Sequence, residues 1–411
     1  VADRDVDFLL VGGGVAAASC ALALREAGAD GSILIAGREI DPPYHRPPLS
    51  KGYLRGNEDR GAVAYAAPER YAEQQIEVLT RTSAMALDLD ARTVKLSSRE
   101  EVGFGQALLA TGAGVRRLNV EGSELDGIHY LRALANADAI RADAAGKRVV
   151  LIGGSYIACE VAATLTELGA SCSLLMLEEL PLSRGFGLTA GRFFSDRLAE
   201  RGVRLHGGQE LDHFEGADGR VTHVVAKSGL RLEADAVVMG TGALPDVKLA
   251  RAAGLELGAS GGVQVNGQLE SSAPGVFAAG DIAEYRSVVH DGRAMRVEHW
   301  DVAINQGRSA ARNMLGLGEQ YTVVPYFFSD LSDWASLEYV GPAADWDAEV
   351  VRGEIDHGAF SVWYLREGRV AAMLSVERGE ELDHARRLIS SGRALGRPEV
   401  LGDLSTDLAA L

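Results

Sequence analysis

VDFLLVGGGVAAASCALALREAGADGSILIA, residues 6–36, contains a complete strand–turn–helix–turn–strand unit. A short apolar strand runs into Gly12, Gly13 and Gly14, a helix of small and apolar residues follows, Gly28 lies just past it, and a second strand ends near Ala36. Gly12, Gly14 and Ala17 stand at the spacing of a dinucleotide fingerprint. Each has a physical task there. Gly12 permits the tight turn, Gly14 lets the backbone approach a pyrophosphate, and Ala17 lets the helix pack close to the strand. The positive helix N-terminus then faces the phosphates. Arg38 and Glu39 follow the second strand, Glu39 27 residues after Gly12, where an acid grips an adenosine ribose.

The pattern recurs in KRVVLIGGSYIACEVAATLTELGASCSLLMLE, residues 147–178. Gly153, Ser155 and Ala158 occupy the fingerprint positions, Tyr156 and Ile157 sit in the opening turn of the helix, and Gly169 closes it. Ser155 crowds the phosphate approach slightly. Glu178 ends the next strand, 25 residues after Gly153. An acid there accepts from ribose hydroxyls and repels a 2′-phosphate, which predicts NAD(H) over NADP(H). Glu179 is adjacent and Arg184 lies just downstream. Two such folds imply two dinucleotides of one kind, or one flavin and one nicotinamide dinucleotide. The second combination gives hydride a chemical route.

At 411 residues the chain is too long for one core, so two or three domains are expected. Its 41 basic and 58 acidic residues leave a net charge of −17, which repels phosphate backbones and excludes general nucleic-acid binding. Cys20, Cys159 and Cys172 form no CxxC or CxxxxC pair. That argues against a disulfide scaffold, a closely spaced redox dithiol and a cysteine-ligated cluster, and no metal site is expected. VADRDVDFLLVGG shows no basic segment ahead of an apolar one, and no run of 18 apolar residues occurs. A cytoplasmic protein without membrane contact is the expectation.

Three further segments run strand-first into a glycine turn: 107–113 (ALLATGA, with Ala110, Thr111 and Gly112), 236–245 (with Gly242) and 275–283 (with Gly280 and Asp281). They resemble the returns between the FAD and NAD domains of two-dinucleotide flavoproteins, and that resemblance implies a discontinuous first domain, 1–112 and 243–322, with a second domain, 113–242, inserted between its halves. The same resemblance implies that Asp281 accepts hydrogen bonds beside the flavin ribityl chain or pyrophosphate. Residues 296–316 read as an amphipathic helix whose positive end favours negative charge, with Glu298, His299 and Trp300 at its start. Residues 323–411 read as a small α+β domain, with strands at 335–341, 348–353, 359–365 and 369–376 and a helix over 380–392. From 330 to 411 there are sixteen acids and eight arginines. The fold class is therefore α/β: two Rossmann-like dinucleotide-binding domains of glutathione-reductase-like plan plus a C-terminal α+β domain.

One stretch lies outside this scheme: YHRPPLSKGYL, Tyr44–Leu54. Each proline fixes its own φ and disfavours the helical region for the residue before it, so the segment is expected to set out extended, with the following turn presenting Lys51 at the start of a short helical turn. With this stretch, ATG, the second fingerprint ending in Glu160, GDIA, VEHWDVAINQG and YFFSDLSDWASLEYVG in order, the chain resembles the FAD-dependent ferredoxin reductase family. That group includes the putidaredoxin-reductase-like and rhodocoxin-reductase-like enzymes of bacterial oxygenase systems and is related to apoptosis-inducing factor. The resemblance implies FAD in the first domain, NAD(P)H in the second and a C-terminal domain over the flavin. It implies that Arg46, Pro47 and Pro48 line the FAD site and that Lys51 pairs with Glu160 beside the flavin N5. Phe328 stands where the family often has tryptophan, and Leu331 where glutamine is usual.

The activity implied is hydride transfer from NADH to FAD, then single electrons to a small [2Fe–2S] ferredoxin or similar acceptor, by a monomer or homodimer. Alternatives are an NADH oxidase or a reductase of oxygen, quinone or a small molecule, and a redox-sensing interaction protein of the apoptosis-inducing-factor type. Arg386, Arg387, Arg393 and Arg397 are the expected basic patch for an acidic partner.

Overall fold

The computed structural model describes residues 2–290, 292–341, 343 and 345–411. The chain forms two compact units. One comprises Val1–His45, Val63–Gly114 and Leu244–Phe327; the other comprises Arg46–Ala62, Val115–Ala243 and Phe328–Leu411.

The first unit is built on a sheet whose parallel strands run in the order Ile76–Leu79, Ile33–Ala36, Arg4–Val11, Glu101–Leu109 and Val276–Ala278. An antiparallel hairpin, Ala84–Asp88 and Thr93–Leu96, also pairs with Glu101–Leu109. Ile33–Ala36 is buried at every residue, the unbroken apolar run that a strand covered on both faces requires. The fingerprint helix Val15–Glu26 packs on the helix Trp300–Met314. Their approach explains the small residues: a Cβ on Gly307 would meet Ala16 O at 2.3 Å, and Ser19 Oγ donates to Ile304 O at 3.1 Å.

The second of these helices begins four residues later than the amphipathic pattern predicts. Arg296 is drawn instead into hydrogen bonds from Nη1 to Asp281 O, at 3.0 Å, and to Glu298 Oε1. His299 is the extended N-cap.

The second unit repeats the plan. Its parallel strands run Arg204–His206, Ser171–Leu175, Arg148–Ile152, Ala236–Met239, Ile128–Tyr130. A three-stranded antiparallel sheet, Leu211–Ala217, Arg220–Ala226 and Arg231–Glu233, accompanies it. The C-terminal region adds a five-stranded sheet in the order Tyr326–Leu331, Ala335–Val340, Arg369–Val376, Ala359–Arg366, Ala348–Glu354, with the helix Leu382–Ser391 against it. Its first strand is absent from the sequence-based assignment. YFFSDL has no clean apolar–polar alternation, because only Ser329 and Leu331 in it are buried.

RPPLSK also differs from expectation. Arg46 lies in the helical region (φ −79°, ψ −30°), and Pro47–Ser50 is a 3₁₀ turn, not extended chain. A proline at the first position of such a turn loses no hydrogen bond, since that N–H has no partner in any case. The turn delivers Lys51 at φ −125°, ψ −118°, just before the short helix Gly52–Arg55.

The expected basic patch is engaged within the chain. Arg386 pairs with Asp383 and Arg397 with Glu399, while Arg387 and Arg393 both donate to the carbonyl of Leu411. Among the described residues, no helix is long and apolar enough to cross a membrane, and no group of three His, Cys, Asp or Glu side chains is arranged to hold a metal.

A buried charge anchors the C-terminal segment. Arg352, 5% exposed, donates from Nε to Glu381 Oε1 at 2.8 Å. Its other nitrogens reach the carbonyls of Leu401, Asp403, Leu404 and Thr406. Ser361 Oγ donates to the second oxygen of Glu381 at 2.6 Å. Truncating one member of a buried pair costs about 3–5 kcal/mol, and Arg378, which also donates from Nε to Glu381 Oε1 at 2.9 Å, keeps the loss at the lower end of that range. Arg352→Ala is therefore expected to lower the denaturant midpoint by roughly that free energy, and Arg352→Lys to restore only part of it, as checked by equilibrium unfolding.

Candidate functional site

Each unit collects its own set of polar and glycine positions at the carboxyl ends of its parallel strands, where ligands bind in open α/β sheets. In the first unit Gly12 has φ +133°, and a Cβ there would lie 2.1 Å from Ala110 O. The turn is thus open only to glycine and rests on the Ala110–Thr111–Gly112 segment. Thr111 Oγ1 donates to Asp246 O at 2.7 Å, and Asp246 N to Gly112 O at 2.8 Å, which fixes that second turn. A Cβ on Gly14 would meet nothing within 4 Å, and the helix that starts after Gly14 has no side-chain cap. Such a helix end can receive an anion on its first N–H groups. Ala17, fully buried, is the close-packing position.

The other predicted residues of this unit surround that turn. Gly280 sits against the first turn of the helix, its added Cβ 3.3 Å from Ala16 Cβ, so Asp281 lies beside the helix N-terminus. Glu39 accepts from Tyr44 Oη at 2.6 Å, and Arg38 pairs with Asp246 at 2.8 Å. Glu298 is held by Arg296. Trp300 Nε1 donates to His45 Nδ1 at 3.0 Å, and the His45 ring also packs on Tyr65. His299 stacks on Phe327 with ring centroids 4.9 Å apart, and its Nδ1 is buried without a hydrogen-bond partner. Burial pushes His299 down to about 4, against Asp281 and a bond with the Tyr326 backbone that favour the charged form. An orphaned ring nitrogen, an uncapped helix end and a glycine cradle together fit a dinucleotide.

The second unit reproduces the cradle. Gly153 has φ +113°, and its Cβ would lie 2.4 Å from Gly240 O. Here the strand leading to Gly242 takes the part played by the strand into Ala110. Ser155 caps the helix by position but not by side chain: its Oγ turns to Gly240 O at 3.3 Å, away from the turn that Tyr156 and Ile157 open. Ala158 is buried against Gly240. Glu178 Oε2 lies 3.3 Å from a Cβ built on Gly154, at the edge of this turn. Arg184 is exposed. The donor set fits a second dinucleotide with a ribose-binding acid.

Also in the second unit, Lys51 and Glu160 meet although 109 residues separate them. Lys51 Nζ lies 2.8 Å from Glu160 Oε1, with side-chain exposures of 16% and 4%. Glu160 is in the fingerprint helix Tyr156–Glu167, and the 3₁₀ turn at Pro47 presents Lys51 to it. Arg46 donates from the head of that turn to Arg132 O. Lys51 Nζ sits 5.3 Å from the centroid of the Phe328 ring. Sequence analysis missed Ser50, Ser329 and Asp330. Ser50 and Ser329 both bond Glu160, and Asp330 is raised by burial and by Glu160, with Lys51 opposing. The signal for Ser50 was adjacency to Lys51; Ser329 lay in the unassigned strand.

Residues 6–307 match the family model described as pyridine nucleotide-disulphide oxidoreductase, and residues 326–411 the model described as reductase C-terminal. The chain is 34% identical to a ferredoxin–NAD(P)(+) reductase from Sphingomonas sp over 96% of this chain and 95% of that protein. It is 34% identical to putidaredoxin reductase of Pseudomonas putida over 98% and 96%. The crystal structure of the ferredoxin reductase for the CYP199A2 system from Rhodopseudomonas palustris superposes with a TM-score of 0.93 at 33% identity, covering 99% of both chains.

His299 carries a pH consequence. Its folded value, about 4, lies below the ordinary 6.5, so between those values the unfolded chain binds a proton that the folded chain excludes. The cofactor-free protein is expected to lose stability as pH falls from 6.5 to 4. Histidine 45, also lowered by burial, acts in the same direction. His299→Asn should flatten that slope in urea titrations across the same window.

Proposed function

The chain belongs to the pyridine nucleotide-disulphide oxidoreductase family, and we propose that it is an FAD-dependent NADH:ferredoxin-type oxidoreductase. When bound, FAD supplies hydride acceptance from NADH and release of the electrons one at a time to a small [2Fe–2S] ferredoxin. The observation that carries this is the Lys51–Glu160 pair, whose side chains meet at 2.8 Å with little exposure to solvent. Such a cation favours negative charge on a ring as it is reduced, and the carboxylate holds it in place.

The domain plan is glutathione-reductase-like. Residues 1–112 and 243–322 form the FAD domain, 113–242 the NAD(H) domain and 323–411 the C-terminal domain. Gly12, Gly14 and Ala17 receive the FAD pyrophosphate, with Asp281 and the Ala110–Gly112 turn beside it; Arg38 and Glu39 hold the adenosine end. Glu298, His299 and Trp300 line the flavin portion, and the family resemblance assigns Arg46 and Pro47 to FAD as well. Gly153, Ser155, Tyr156, Ile157 and Gly242 frame the NAD(H) pyrophosphate, and Glu178 takes the ribose hydroxyls. Phe328, without an indole donor, covers the ring by apolar contact. Hydride transfer needs only that donor carbon and acceptor be stacked and close, so no general base is assigned.

Disulfide chemistry is not the outlet. Cys20, Cys159 and Cys172 are all free and buried, and burial raises every thiol, that of Cys172 to about 11. A thiol so raised supplies no thiolate at neutral pH.

Anaerobic reduction by NADH, followed by reoxidation with a [2Fe–2S] ferredoxin, ferricyanide and oxygen, tests the assignment. Ferredoxin is expected to reoxidise the enzyme fastest. Faster turnover with oxygen would make it an oxidase, and a reduced complex that persists beside ferredoxin would make it a redox sensor. NADH should give the higher kcat/KM over NADPH, and Glu178→Ala should narrow the gap. Lys51→Ala should slow reduction by NADH about 10²-fold; a wild-type reductive half-reaction in stopped flow would remove Lys51 from its role.

A further inference from the structure

The Glu160 carboxylate has more donors than the ion pair requires. Oε1 accepts from Lys51 Nζ at 2.8 Å and from Ser329 Oγ at 2.6 Å, and Oε2 accepts from Ser50 Oγ at 2.5 Å. Ser50 and Ser329 are 5% and 2% exposed, so neither hydroxyl has water as a ready alternative. Each hydroxyl has one proton to give. Pro47 O, 3.3 Å from Ser50 Oγ, is the poorer acceptor beside a charged carboxylate. Ser50 is fixed a second time by the same helix, because Thr164 Oγ1 donates to Ser50 O at 2.7 Å. Three segments distant in sequence thus converge on one carboxylate: the 3₁₀ turn, the fingerprint helix and the strand bearing Phe328.

We propose that Ser50 and Ser329 are positioning residues that share the charge of Glu160 with Lys51 and thereby set how much positive field Lys51 keeps for the flavin. This rests on the reading that Lys51 faces the reducible ring. A buried carboxylate draws on whatever donors surround it. With two hydroxyls in place, part of that demand is met by neutral groups, and the ammonium is only partly neutralised. Without them the whole demand falls on Lys51, which is pulled more tightly to Glu160 and offers less stabilisation to negative charge elsewhere. Asp330, near the same pair, adds negative charge only in so far as burial leaves it ionised.

The consequence has a sign that simple loosening of the fold does not share. Ser329→Ala and Ser50→Ala, each as the FAD-loaded full chain, should shift the flavin midpoint potential to more negative values and slow reduction by NADH about tenfold, the worth of one hydrogen bond to a charged group. Glu160→Gln should shift the potential the opposite way, since it removes the charge that holds Lys51 back. Ser329→Thr, which keeps the hydroxyl, should return both readouts toward wild type. Spectroelectrochemical titration and stopped flow measure them, with thermal unfolding alongside to identify a variant that has merely lost its fold; the two serines lie on separate segments, so one such loss leaves the other to be read. If both alanine variants keep the wild-type potential while Lys51→Ala changes it, the serines have no such role and the flavin assignment stands. If Lys51→Ala leaves potential and rate unchanged, the assignment of Lys51 to the flavin falls, and this inference with it.

Discussion

An ammonium and a carboxylate taken out of water together are expensive to keep, and the second unit is arranged around meeting that cost. Glu160 sits one turn into a helix whose start is a nucleotide cradle, so its position follows from Gly153 and the strand Arg148–Ile152. Lys51 comes from a turn that two prolines stiffen, and the hydroxyls of Ser50 and Ser329 satisfy the lone pairs that Lys51 leaves. Remove the prolines and the lysine loses its fixed approach; remove the helix and the carboxylate has no address. The chain accepts a local burial penalty at one point because several elements converge to offset it.

The two fingerprints show how the same backbone constraint recurs with different side chains. In each, the first glycine presses on a carbonyl of the neighbouring strand end, Ala110 in one unit and Gly240 in the other. The register agrees: Val11 faces Leu109, and Ile152 faces Met239. What differs is the middle position. Gly14 leaves open space, whereas Ser155 carries a hydroxyl that turns away to Gly240 O and does not cap the helix. A serine is accommodated because its polar atom finds a backbone partner outside the phosphate approach.

Both nucleotide folds were legible in the sequence, because glycine spacing and apolar strand runs are local signals. So were Lys51 and Glu160, though their meeting rested on family resemblance, since no local rule pairs residues 109 apart. The strand Tyr326–Leu331 was not legible. Its buried residues, Ser329 and Leu331, do not stand out by hydropathy, and Ser329 is inside because Glu160 needs a donor. The conformation before Pro47 also escaped. The steric rule against a helical residue ahead of proline is a preference, and Arg46, donating to Arg132 O, lies in the helical region regardless. The start of the helix at Trp300 was misjudged as well: ahead of it Arg296 bonds Asp281 O and Glu298, long-range and local contacts that an amphipathic pattern does not encode.

Charge constrains how an acidic electron acceptor is met. At −17 the chain repels such a partner at long range, although at physiological salt that field fades within about 8 Å. The four arginines that the sequence offered as a compensating patch have partners inside the chain: two with acids close by in sequence, two with the Leu411 carbonyl. An arginine already sharing its protons gives up part of that bonding to serve a partner. Recognition of an acidic acceptor is therefore better drawn from short-range complementarity than from steering, which places the burden on contact geometry and makes encounter slower than between oppositely charged surfaces.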